Sequence, residues 1–179
     1  MHTADEGATE RSYLRITRAD LRRLASIAQA DLTDFLARSE RARTQLEGRY
    51  LCTALCQGAA LHAIDGKNGI KDWDVWMFFG REPGDIYQFP YRRRIERSFG
   101  EPRFGRSLTR SDHVGRCVDL LGRYIFADAG EDPTAAVRRY LSQGGSRSAC
   151  LLAAKAVVMV DPESGVARWF GLSKPLGLA

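Results

Sequence analysis

Between residues 18 and 47, Leu21, Leu24, Ile27, Ala28, Leu32, Phe35 and Leu36 recur at helical spacing with neither Gly nor Pro among them, which predicts one or two amphipathic helices. The arginines at 18, 22, 23, 38, 41 and 43 then form their solvated face. Beyond Gly48 the pattern changes. Residues 50–56 are a short apolar run, read as a buried strand; Gln57-Gly58 breaks it, residues 59–64 start a short helix, and the turn-forming run Asp65-Gly66-Lys67-Asn68-Gly69 stops that helix. Residues 72–79 open with two acids and continue as Val75, Trp76, Met77, Phe78 and Phe79. This is the pattern of a strand entering a core with its acidic end exposed. With side chains alternating along a strand, Asp72 and Asp74 share one face.

Further on, residues 116–125 read as another strand, apolar apart from Asp119 and its flanking arginines. Asp132-Pro133-Thr134 is a helix start leading into residues 135–141, with Gly144-Gly145 closing that helix. Residues 146–154 predict a further helix, and residues 156–160 a strand. A turn at 161–165 leads from it into residues 166–170, which complete a terminal hairpin with it. Residues 1–12 lack any apolar period and are expected to form a mobile tail, leaving residues 13–179 as a single domain.

Composition narrows the picture. The chain has 179 residues, 44% of them hydrophobic, enough for one packed core. A net charge of +5 is modest, and its distribution matters more than its sum. Arginines crowd positions 92, 93, 94, 97, 103, 106, 110, 116 and 123, with Phe89, Tyr91, Phe99 and Phe104 interleaved. They form either a solvated face with aromatic anchors or a cationic surface for polyphosphate or nucleic acid, with Arg92, Arg93 and Arg94 the candidate contacts. Cys52, Cys56, Cys117 and Cys150 contain no CxxC pair and read as free thiols, which fits a reducing compartment. His62 and His113 read as satisfied polar residues. No apolar run is long enough to span a bilayer and no signal-type segment opens the chain, so a cytoplasmic protein with no membrane partner is expected.

The carboxylates carry the candidate chemistry. Two acids on one strand face repel each other unless a cation lies between them. Asp119, in an apolar strand, requires neutralisation by an arginine or by that same cation. A Gly turn at a helix start places backbone N–H groups where a phosphate can bind. Hard cations such as Mg2+ take oxygen ligands and keep substrate phosphate oxygens in their coordination shell.

The run Gln57-Gly58-Ala59, a gap of twelve residues, then Asp72-Trp73-Asp74-Val75, with Asp119 on a later strand, resembles the nucleotidyltransferase superfamily. That superfamily includes DNA polymerase beta, kanamycin nucleotidyltransferase and the minimal nucleotidyltransferases. Its pattern is a hydrophobic residue, Gly, then Gly or Ser, a gap, and Asp-hydrophobic-Asp-hydrophobic, with a third acid downstream. Here Gln57 replaces the hydrophobic residue and Ala59 the Gly or Ser. The resemblance covers residues 50–125. It implies an α+β fold with a small mixed sheet flanked by helices, and one or two Mg2+ ions held by Asp72, Asp74 and Asp119. It further implies that Asp119 helps deprotonate the acceptor hydroxyl, and that Gly58 and Ala59 shape the phosphate turn. The implied reaction moves a nucleoside monophosphate from a nucleoside triphosphate to an acceptor that no residue identifies. The alternative is a catalytically silent module of the same fold that binds nucleic acid or a partner protein through the arginine-rich segment.

Overall fold

The computed structural model describes residues 10–81, 83–84, 91–162 and 167–169. Helix α1 (Arg18–Arg38) starts at a reciprocal cap: the Thr17 hydroxyl accepts from the Asp20 N–H, and the Asp20 carboxylate accepts from the Thr17 N–H at 2.6 Å. Ser39 ends this helix and caps α2 (Glu40–Leu46), so the expected helical region is two helices. After them come β1 (Tyr50–Cys56), α3 (Gln57–Asp65), β2 (Trp73–Arg81), β3 (Tyr91–Ser98) and β4 (Cys117–Phe126). The chain continues with α4 (Pro133–Gln143), α5 (Arg147–Ala153), β5 (Ala156–Asp161) and β6 (Ala167–Trp169). Asp132 caps α4 with Pro133 in its first turn, and Gly144 closes it in the left-handed conformation.

The fold is α+β. The strands form one mixed sheet in the order β3-β4-β2-β1-β5-β6. β2 and β4 are parallel, the other pairs antiparallel, and β5-β6 is the expected hairpin. Both faces of the central strands are covered, so β2 reads as a near-continuous apolar run. On one face Leu24, Ala28 and Leu32 of α1 and Ala59 and Ala60 of α3 pack on Leu55, Val75, Met77 and Phe79. On the other, Ala136, Val137 and Leu141 of α4 and Leu152 of α5 pack on Cys52, Ala54, Trp76, Phe78 and Ile125.

Three expectations need adjusting. The tail predicted over residues 1–12 falls mostly outside the described residues, but Ser12 is buried and exchanges both backbone hydrogen bonds with Ile70, at 2.8 and 2.6 Å, so the chain is anchored from there. Asp72 stands just before β2 rather than within it. The arginine-rich segment contains an edge strand, β3, whose charged sequence hid it from an apolar pattern; charges on an exposed edge deter pairing with other chains. Among the described residues, no helix is long and apolar enough to cross a membrane.

Candidate active site

Strand register builds an acidic row across the sheet. Asp74 of β2 is the direct parallel partner of Asp119 of β4, Asp119 pairs with Glu96 of β3, and Asp74 pairs with Cys56 at the end of β1. Residues paired in this way project from the same face. Cys56 is also the N-cap residue of α3 and supplies no side-chain cap, so the start of that helix follows directly on the residue paired with Asp74.

Trp73 fixes the two acids on either side of it. Its indole is fully buried, stacked on Phe99 at 4.7 Å and edge-on to Phe104 at 4.9 Å between ring centroids, and its Nε1–H donates to the Gly115 carbonyl at 3.0 Å. The acceptor sits at a tight crossing. Gly115 has φ +73°, and a Cβ there would lie 2.4 Å from the Glu101 carbonyl oxygen.

The acids crowd one another. Burial, then the charges of Asp119 and Asp72, push the Asp74 carboxyl up to about 7, against a smaller opposing influence from Lys155. Asp72 is raised for the same reasons, burial first and Asp119 second, with Lys71, Arg116 and Arg94 opposing. Its Oδ1 is buried with no hydrogen-bond partner among the described residues. An orphaned buried carboxylate oxygen beside a second crowded carboxylate is a donor set that suits a hard divalent cation.

Asp119 is differently placed. Arg94 Nε donates to its Oδ1 at 3.0 Å and the Cys117 thiol approaches the same oxygen at 3.5 Å. Glu96, in turn, holds Arg94 at 2.7 Å and Arg110 at 2.6 Å. Among the described residues, the group of possible ligand atoms lying within 4.8 Å of one another is Glu96, Cys117 and Asp119, not the expected set of Asp72, Asp74 and Asp119. Burial, then Asp119, raises the Cys117 thiol to about 12, so it remains a hydrogen-bond donor rather than a thiolate ligand at neutral pH. The structure therefore makes Asp74 and Asp119 neighbours, places Asp72 within electrostatic reach of both, and engages Asp119 with an arginine.

The Gly58 turn is held from the loop that precedes β2. Asn68 Nδ2 donates to the Gly58 carbonyl at 2.9 Å, and a Cβ on Gly58 would stand 3.1 Å from that nitrogen. Gln57 takes φ +59°, an uncommon backbone conformation that lets α3 begin immediately after the strand. Ala59 is buried in the core, its methyl against the sheet. His62 braces the same loop: its Nδ1 accepts from the Gly69 N–H at 3.1 Å, which assigns the proton to Nε2, which lies 3.0 Å from the Leu14 carbonyl. It is the satisfied polar residue that its position suggested.

Most of the described arginines in the crowded segment are exposed, yet several are engaged by groups of the protein itself. Arg97 pairs with buried Asp31 at 2.6 Å, Arg103 with Asp20, and Arg110 with Glu96, while fully buried Arg116 donates to the Phe104 carbonyl at 2.8 Å. The pairs of Arg97 and Arg103 tie β3 and the following loop to α1, and that of Arg110 ties the loop back to β3. The side chains of Arg92 and Arg93 lie outside the described residues.

Sequence reasoning missed Glu96, Cys117 and Arg110 as neighbours of the acids. Cys117-x-Asp119 and Arg94-x-Glu96 each have the period-two spacing that puts both residues on one strand face. That spacing was the available signal. No family model matches the chain, and neither a curated protein nor a solved structure matches it.

Proposed function

We propose that this protein is a Mg2+-dependent nucleotidyltransferase-like enzyme that transfers a nucleoside monophosphate from a nucleoside triphosphate to a hydroxyl acceptor. The observation that carries the reading is the in-register placement of Asp74 beside Asp119 on parallel strands, with the uncapped start of α3 emerging next to them.

Asp72 and Asp74 would hold the cation through carboxylate oxygens, the Oδ1 of Asp72 being buried with no hydrogen-bond partner among the described residues. Bound there, Mg2+ would neutralise charge on the triphosphate and its pyrophosphate leaving group. The N–H groups at the Gly58 turn, at the positive end of α3, bind phosphate oxygens and orient the triphosphate. Lys155, whose charge reaches Asp74, faces the same negative charge. Asp119 accepts the acceptor hydroxyl's proton, which requires Arg94 to leave or rotate from its oxygen.

Incubating the full chain with radiolabelled nucleoside triphosphates, Mg2+ and a panel of hydroxyl acceptors tests this. Label transfer is expected from the native chain and not from Asp74→Asn; equal transfer by the two, or none by either, overturns the catalytic reading. One observation favours a second reading, a silent binding module: the Arg94–Asp119 ion pair already satisfies the proposed base. That module would keep salt-sensitive nucleic-acid binding in Asp74→Asn and lose it when Arg92, Arg93 and Arg94 become alanine.

A further inference from the structure

A second site, this one cationic, lies at the opposite end of the sheet. Arg81, at the end of β2, is seven residues from Asp74, about 23 Å along a strand rising about 3.3 Å per residue. There a cavity of 240 Å³ is lined by Arg81, Arg123, Arg139, Tyr140, Gln143 and Ser146, with aromatic surface from Phe126 and Tyr124. No carboxylate lines it among the described residues.

The three guanidinium groups are held in different ways. Arg139 is anchored from behind: it binds Glu131 through both terminal nitrogens and donates to the Phe126 carbonyl at 2.9 Å. Arg81 Cζ lies over the Phe126 ring, 3.6 Å from its centroid, a cation–π contact that holds the guanidinium at the cavity wall. Arg123 is half-buried on β4, and no hydrogen bond or ion pair engages it among the described residues. Arginine is seldom withdrawn from water without a partner. The Tyr140 hydroxyl and Ser146 Oγ, 2.9 Å apart, join α4 to the start of α5 and brace one wall.

We propose that this cavity binds a phosphate ester of mononucleotide size. Arg81 and Arg123 present guanidinium donors that match phosphate oxygens at one place rather than along a surface track, while Arg139, whose fork is taken by Glu131, forms part of the wall. At 240 Å³ the cavity has room for many waters, more than an inorganic phosphate alone would displace. The aromatic walls and Gln143 face the remainder of the ligand, contributing apolar surface and hydrogen-bonding capacity. Being remote from the acidic row, the site stands independently of the nucleotidyl-transfer reading.

Calorimetric titration of the full chain in EDTA with AMP, ribose 5-phosphate and inorganic phosphate tests the proposal. At least one ester is expected to bind more tightly than inorganic phosphate, to lose affinity by about tenfold or more in Arg123→Gln, and to bind unchanged in Asp74→Asn. Amide chemical shifts of the native chain give a readout independent of any variant's folding: AMP should move Arg123, Gln143 and Gly145 and leave Gly58 and Asp74 in place. Absence of ester binding, inorganic phosphate binding as tightly as both esters, full affinity in Arg123→Gln, or shifts at Gly58 and Asp74 instead would each overturn it.

Discussion

Replacing Asp74 by asparagine removes one charge from the acidic row while keeping nearly the same shape. In the folded chain this carboxyl sits at about 7 against an ordinary value of 3.8. A group whose folded value is raised stabilises most fully below its unfolded value, and that contribution is lost as pH rises through the folded value. Between about pH 4 and pH 7 the folded chain retains a proton that the unfolded chain releases, so stability of the metal-free protein should fall with pH. About three pH units at about 1.4 kcal/mol each give an upper bound of about 4 kcal/mol. The asparagine amide is itself a buried polar group, which offsets about 1–3 kcal/mol of the gain. Asp74→Asn should therefore be more stable than the native chain at pH 8 by about 1–3 kcal/mol, a rise of about 3–10 °C in Tm for a chain of this length, and near pH 4, where the native carboxyl keeps its proton, only the cost of the amide should remain and the variant should be the less stable of the two by about 1–3 kcal/mol. Thermal unfolding in EDTA across this range measures the difference. Adding Mg2+ at pH 8 should then raise the native Tm, by about 2.7 kcal/mol equivalent at a hundredfold excess over Kd, and leave the variant's unchanged. A variant less stable than the native chain at pH 8, or one with the same increment at both pH values, would refute the reasoning that these carboxylates are held together against their repulsion.

Further outcomes follow from the same geometry. Trp73→Phe keeps the aromatic packing but strands the Gly115 carbonyl, and should cost about 1–3 kcal/mol in denaturant unfolding. Gly115→Ala forces both a positive φ and a Cβ 2.4 Å from backbone oxygen, and should cost more than about 2 kcal/mol or prevent soluble expression. Arg97→Ala leaves buried Asp31 without its 2.6 Å partner; because Arg97 is itself partly exposed, urea titration should show a loss of about 2–3 kcal/mol, below that of a fully buried pair. Gly58→Ala meets Asn68 Nδ2 at 3.1 Å and should weaken nucleoside triphosphate binding severalfold with little change in Tm, read by titration with a non-hydrolysable analogue.

Much of the framework was legible because local rules agree with the global fold. The stripe from Leu21 to Leu36, the Asp132 start, and the Gly66 and Gly144 stops all became helix faces and boundaries. The apolar run after Asp74 was legible as a strand because it is buried on both sides. β3 was not, since an edge strand carrying Arg92, Arg93, Arg94 and Arg97 has no apolar alternation to betray it. The arginines were only half legible for a related reason. Their excess suggests an external surface, and Arg97 and Arg103 are exposed, but the matching of Arg97, Arg103 and Arg110 to acids distant in sequence leaves no local trace.

By itself the sequence determined the helices, the apolar strands, the Gly58 turn and the spacing of Asp72 and Asp74, because each follows from interactions between residues near one another in the chain. The tertiary structure decided that Asp119 stands beside Asp74, that Glu96 and Cys117 join it, that Arg94 occupies its carboxylate, and that Arg81, Arg123 and Arg139 face one cavity. Strand order and register set those meetings. Both depend on which faces of β2 and β4 become buried together, which only the packed sheet specifies.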